Sequence, residues 1–167
     1  MADMNSFDIT SEIDMAEVDN AINQARKEVA QRYDFKGSKA SIELDQKEKT
    51  LTLEAEDNFK IAALWDILQT RMIRRNVPVK NMKPGEIEPA AGGTVRQVMT
   101  LQMGIPTEAA KDIVKAIKEA KLKKVQASIQ ADQVRVSSPS RDELQSAMQL
   151  LRDKDFGIAL QFGNYRS

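Results

Sequence analysis

Tyr33-Asp34-Phe35-Lys36-Gly37 places an aromatic ring, a carboxylate and a cation within one short stretch. Such a set could stack on a planar base, accept a hydrogen bond from its edge and meet a phosphate. Arg96 and Gln97 follow the pair Gly92-Gly93, and Tyr165 stands beside Arg166 near the end of the sequence. Lysines gather at Lys118, Lys121, Lys123 and Lys124, and arginines at Arg71, Arg74 and Arg75. Each group also has a plainer use. The first reads more readily as a helix terminator with Phe35 plugging the core, Arg166 reads as a solvated charge, and both basic runs as cations suited to the negative end of a helix dipole.

What is missing narrows the chemistry further. The 167 residues include neither histidine nor cysteine. Ser-His-Asp, Cys-His, disulfide and thiolate-metal chemistry are therefore excluded, leaving Asp, Glu, Lys, Tyr and Ser for any proton transfer. No G-x-x-x-x-G-K-[ST] loop and no G-x-G-x-x-G turn is present, so nucleotide hydrolysis has no visible machinery. Twenty-five basic residues balance 25 acidic ones, which removes the long-range field of a strongly basic nucleic-acid binder and leaves only local clusters. The start of the sequence has no signal-peptide pattern, and no run approaches the ~20 apolar residues of a membrane span, which predicts a soluble, cytoplasmic protein without a metal or cofactor.

The elements that must position these residues come in two sets. Ala40-Ser41-Ile42-Glu43-Leu44-Asp45-Gln46 returns as Ala127-Ser128-Ile129-Gln130-Ala131-Asp132-Gln133, about half the chain later. Alternation predicts a first strand over residues 6–10, then a helix from Asp14 to about Tyr33 with Met15, Val18, Ile22, Ala25 and Val29 inward. A hairpin follows over residues 40–55, then a helix from about Asp57 burying Ile61, Leu64, Trp65, Leu68 and Met72. Residues 76–93, with Pro78, Pro84, Pro89 and several glycines, read as a connector without a strand. The second half repeats the order: a strand over 94–102, a helix from about Thr107 to Lys121, and a hairpin with Ala127, Ile129, Val134 and Val136 inward. A helix capped by Ser140 and Glu143 follows, and a strand over residues 158–162 closes the set. The pattern is the α+β, split βαβ or ferredoxin-like arrangement twice, by internal duplication, with the first copy short of a strand.

Several motifs in one order also make the chain similar to a known family. Ser6-Phe7-Asp8-Ile9, Arg32-Tyr33-Asp34-Phe35-Lys36-Gly37, Thr94-Val95-Arg96-Gln97, Gln133-Val134-Arg135-Val136, Ser140 to Gln145 and Gln161 to Arg166 together resemble the YajQ family of small bacterial nucleotide-binding proteins over nearly the full length. The resemblance implies that the two domains exchange their first strands. Residues 7–9 would join the C-terminal domain and residues 94–102 would complete the N-terminal one. The expected domains are then 12–103, and 1–11 plus 104–167, with Arg96, Gln97, Tyr165 and Arg166 near their seam.

The resemblance also implies binding of nucleotides, cyclic di-GMP in some members, with roles in transcriptional regulation and links to RNA. An RNA-recognition sheet would carry stacking aromatics on its central strands, and neither Thr50 to Ala55 nor Gln133 to Ser137 has one; Phe7 reads as core. The expectation is a non-catalytic binder of a guanine nucleotide, such as cyclic di-GMP or GTP, that acts through a protein partner in regulation. Tyr33, Phe35, Lys36, Arg96, Gln97, Tyr165 and Arg166 are the candidate contacts. The alternative is a tRNA or RNA-binding accessory protein, with Lys121, Lys123 and Lys124 as phosphate contacts.

Overall fold

Alternating strands and amphipathic helices build two four-stranded antiparallel sheets, each with two helices on a single face. The computed structural model describes residues 4–167. In chain order the elements are β1 (Asn5–Thr10), α1 (Met15–Gln31), β2 (Ser41–Asp45), β3 (Thr50–Ala55), α2 (Asn58–Arg74), β4 (Met82–Pro89), β5 (Val95–Leu101), α3 (Thr107–Glu119), β6 (Gln126–Gln130), β7 (Gln133–Ser138), α4 (Arg141–Arg152) and β8 (Gln161–Arg166). They form two units, Ile13–Gln102 (the central unit) and Met103–Ser167 with the stretch up to Glu12 (the terminal unit). Both are α+β and ferredoxin-like. Their strand orders, β2-β3-β5-β4 and β6-β7-β1-β8, correspond position for position.

In the central unit, β2 and β3 make a hairpin whose register pairs Ile42 with Leu53 and Leu44 with Leu51. The connecting turn is fixed by Asp45, whose carboxylate accepts from the backbone N–H groups of Lys47 and Glu48. Strand β5 lies between β3 and β4, and Leu51, Leu53 and Met99 meet Ile61, Leu64, Leu68 and Met72 of α2 in the core. Trp65, expected inside, is only partly covered; Ile67 is buried instead.

The supposed connector is where the sequence reading fails most. Residues 82–89 form β4, the edge strand that completes this sheet. Pro84, Gly85 and Pro89 hide it from a periodicity test, yet an edge tolerates prolines because one side of the ladder has no partner. The register shifts between Pro84 and Ile87, and at Gly85 a Cβ would stand 2.9 Å from the Val98 carbonyl oxygen, so the close approach needs glycine.

In the terminal unit, β1 lies between β7 and β8, with Phe7 opposite Val136 and Ile9 opposite Val134. Both side chains are fully buried among Ile113 and Ile117 of α3 and Leu144 and Met148 of α4, worth about 1.5–3 kcal/mol apiece. The last strand runs over Gln161–Arg166 instead of 158–162. Ladder pairing to β1 begins only at Gln161 opposite Thr10, while Ile158 is buried ahead of the strand. Ile129, expected in the core, is 43 % exposed at the sheet edge, although its partner Val134 is fully buried.

The entry to α3 is locked to the β6–β7 turn. The backbone N–H of Ile105 donates to the Asp132 carbonyl, and that of Gly104 donates to the Ser11 carbonyl. Gly104 has φ +80°, and a Cβ there would lie 2.6 Å from Asp132 Oδ2. Gly104→Ala is therefore expected to destabilise the protein by about 2 kcal/mol or more, combining left-handed strain with a steric conflict. Urea unfolding monitored by circular dichroism checks this, and an unchanged midpoint would contradict it.

Candidate functional site

A strand that buries one face presents every second residue on the other, so Ser6, Asp8 and Thr10 of β1 lie on the open face of the terminal sheet. Asp8 is only 6 % exposed there. A buried carboxylate must be paired, and Arg135 Nε on β7 donates to it at 2.9 Å. The Asn164 side-chain amide donates to its second oxygen, and the Arg166 guanidinium lies 3.9 Å away. The bond from Arg135 is the main cause holding the Asp8 carboxyl below its ordinary range. Burial works against it, while the Asn164 amide and the charges of Arg135 and Arg166 add to it. The carboxylate in turn raises Arg135.

Past this network, the start of β1, the end of β8 and the first turn of α4 enclose a cleft of about 310 Å³. Asn5, Ser6, Arg141, Gln145, Tyr165 and Arg166 supply its polar lining, and Leu144 its apolar floor. Ser140 caps α4 by accepting from the Glu143 N–H at 3.2 Å, which places Arg141 at the first helical position. The Asn5 amide donates to the carbonyls of Ser138 and Pro139, and its oxygen accepts from Arg141 Nε at 3.4 Å. Tyr165 is 59 % exposed; its ring centroid is 6.3 Å from that of Phe7, and its hydroxyl lies 3.8 Å from the Met148 sulfur. Asp142 and Glu143 already balance the positive end of α4, so attraction for an anion comes from the two guanidinium groups. The cleft thus combines two arginines, an exposed aromatic ring and two side-chain amides.

Of the residues singled out in sequence, Tyr165 and Arg166 line this cleft. Phe35 lies in the wall of a different one, also about 310 Å³, in the central unit beside Arg26, Ser38, Ser41 and Glu43. The 33–37 stretch does not gather its groups about one point. Phe35 is buried with Lys60 Nζ 4.7 Å and Arg32 5.8 Å from its ring centroid, and Asp34 is held by Arg32 at 2.8 Å, which lowers its pKa. Tyr33 and Lys36 are exposed. Arg96 and Gln97 separate as strand neighbours must. Arg96 lies 3.7 Å from Glu88, while Gln97, paired with Leu53, donates to the Gly85 carbonyl at 2.9 Å. Lys121, Lys123 and Lys124 are exposed beyond α3, and Arg71 and Arg75 tie α2 to Glu28 and Glu17 of α1. Sequence reasoning missed Asn5, Asp8, Arg135, Arg141 and Gln145. The one available signal was the alternation that sets Asp8 between buried Phe7 and Ile9, opposite an arginine.

The comparisons with known proteins point one way. A family model described as "Nucleotide-binding protein YajQ-like" matches residues 5–166. A protein of Solibacter usitatus named "Nucleotide-binding protein" is 55 % identical over 163 residues, covering 98 % of both chains. A nucleotide-binding protein of Koribacter versatilis is 54 % identical over 167 residues, covering 100 % of this chain and 99 % of its own. One of Carboxydothermus hydrogenoformans is 49 % identical over 166 residues, covering 99 % and 100 %.

The Asp8 network predicts a sign for the pH dependence. A carboxyl held below its ordinary range stabilises the fold at pH values above that range, and the contribution is lost as pH falls through the lowered folded value. Asp8→Asn should cost about 1–3 kcal/mol at neutral pH, since Arg135 loses its charged partner. Its stability should then fall less steeply than wild type below about pH 4. Urea midpoints measured from pH 3 to 7 check both; parallel curves would contradict the assignment.

Proposed function

We propose, since the chain belongs to the YajQ-like family of nucleotide-binding proteins, that it binds a guanine nucleotide in the cleft of the terminal unit. The observation that carries this reading is the meeting of Arg141, Arg166 and Tyr165 in one cleft. Guanidinium groups pair with phosphate oxygens in bidentate fashion, an exposed phenol ring offers a stacking plane, and the amide of Gln145 matches a donor and an acceptor on a base edge. A volume of about 310 Å³ is at the small end for ligand sites and suits one guanylate moiety, either GTP or one half of cyclic di-GMP. Arg166 is half exposed, so drawing it from Asp8 to a phosphate costs little.

The protein is a binder in this reading and does not turn the nucleotide over. Asp8, the carboxylate beside Arg166, is held below its ordinary range and engaged by Arg135 and Asn164, so it makes a poor general base. Occupancy would then be read by a macromolecular partner, as a signalling or regulatory effector requires. Among the described residues no helix is long and apolar enough to cross a membrane.

An RNA-binding accessory role is favoured by a separate observation in the central unit. Tyr33 and Phe59 are 88 % and 81 % exposed, and Lys60, next to Phe59, donates to the Asp34 carbonyl next to Tyr33. Exposed rings beside lysines can stack on unpaired bases.

Calorimetric titration with GTP and with cyclic di-GMP tests the main reading. Saturable binding is expected for at least one, with Arg141→Ala, Arg166→Ala and Tyr165→Ala each weakening it about tenfold or more. Arg96→Ala and Lys36→Ala should leave it unchanged. No saturable heat with either ligand would remove the reading. Binding only to RNA, falling steeply with added salt, would favour the accessory role.

A further inference from the structure

The repeated segment folds alike in both units but is finished differently, and the difference exposes a surface. Ile42 of β2 and Ile129 of β6 occupy matching places in the repeat, each on an edge strand beside the helix that precedes it. Ile42 is fully buried, and its carbonyl accepts from the Arg26 guanidinium of α1 at 3.1 Å through Nε. That edge is closed. Ile129 is 43 % exposed and forms one wall of a largely apolar groove of about 270 Å³ with Lys111, Val114, Lys115 and Lys118 of α3.

The backbone of β6 is available along this groove. Ala131 and Asp132 form the two-residue turn that makes Gln130 and Gln133 the first bonded pair, so the N–H and C=O groups of Ala127 and Ile129 point away from β7. The edge strand β4 is blunted by Pro84 and Pro89, whereas β6 contains no proline. Lys111, Lys115 and Lys118 share one stripe of α3 with Val114, at spacings of three and four residues. Within that stripe Lys115 pairs with Glu119 at 3.9 Å, both side chains exposed.

We propose that the α3–β6 groove is a docking site for an extended, acidic segment of a partner protein, which adds as a fifth strand alongside β6. Any occupant that covers Ile129 also takes the edge N–H and C=O groups of Ala127 and Ile129 out of water, and only another extended backbone replaces their hydrogen bonds in register. On an added strand every second side chain faces the helix, where apolar contact with Ile129 and Val114 alternates with the lysine ammonium groups. The fitting segment therefore carries valine-like and glutamate-like residues two apart. A second copy of this chain is a poor occupant, because pairing β6 with itself would set the same three lysines against each other.

The probe is a capped peptide in which threonine alternates with glutamate, valine and glutamate, added to the full chain and followed by fluorescence anisotropy and amide hydrogen exchange. Saturable binding is expected, with slowed exchange at Ala127 and Ile129. Ile129→Glu and the double change Lys115→Glu with Lys118→Glu should each weaken it about tenfold or more, and the same peptide N-methylated on its edge-facing amides should not bind. Both sets of changes are at exposed positions, and unchanged circular dichroism confirms that the variants fold. The proposal is overturned if the peptide does not bind, if N-methylation has no effect, or if the two edge amides are not protected. It is equally overturned if a uridine oligonucleotide displaces the peptide and binds Ile129→Glu as well as wild type, or if the free chain dimerises through β6.

Discussion

Strand β1 is held between β7 and β8 by two antiparallel ladders, and this placement fixes both faces of the terminal unit. On one side Phe7 and Ile9 fill the space beneath α3 and α4, and without them that small core would have no centre. On the other side the same alternation buries Asp8, whose charge is tolerable only because β7 and β8 each bring it a donor. Core and polar network are therefore two consequences of one register. A one-residue slip would set Asp8 beneath the helices and Phe7 in water.

The cleft inherits its order from this arrangement. Asn5 and Ser6 arrive on β1, Tyr165 and Arg166 on β8 beside them, and Arg141 on the helix that follows β7, so three sequence-distant segments converge without a dedicated loop. The polar groups are already committed: Asn5 spans two carbonyls and Arg141, and Arg166 leans on Asp8. The duplication supplied two such frameworks, and the two units use them differently. In the central unit Arg71 of α2 and Arg75 just beyond its end are spent on Glu28 and Glu17 of α1.

Periodicity revealed the helices, both hairpins and the duplicated α+β plan because those segments bury one face and solvate the other. It failed where backbone geometry or tertiary pairing overrides composition. Strand β4 is written in prolines and a glycine that an edge accepts and a central strand would not; β8 begins where β1 offers a partner, three residues beyond the apolar Ile158. Ile129 stands where Ile42 stands in the repeat, yet it is exposed while Ile42 is buried, a difference that only tertiary packing makes. The candidate cleft was legible in part. Tyr165 and Arg166 were visible as an aromatic beside a cation, but Asn5, Asp8 and Arg141 are placed only by partners more than a hundred positions away.

The central claim is that nucleotide enters the cleft formed by β1, β8 and α4. Titrating isotope-labelled protein with GTP or cyclic di-GMP while following backbone and side-chain amide resonances tests it most directly. The account predicts that the largest shifts fall on Asn5, Ser6, Arg141, Gln145, Tyr165 and Arg166, with the Asn164 amide moving as Arg166 leaves Asp8. Shifts centred on residues 33–37 or on Arg96 and Gln97, with those cleft resonances unmoved, would contradict it.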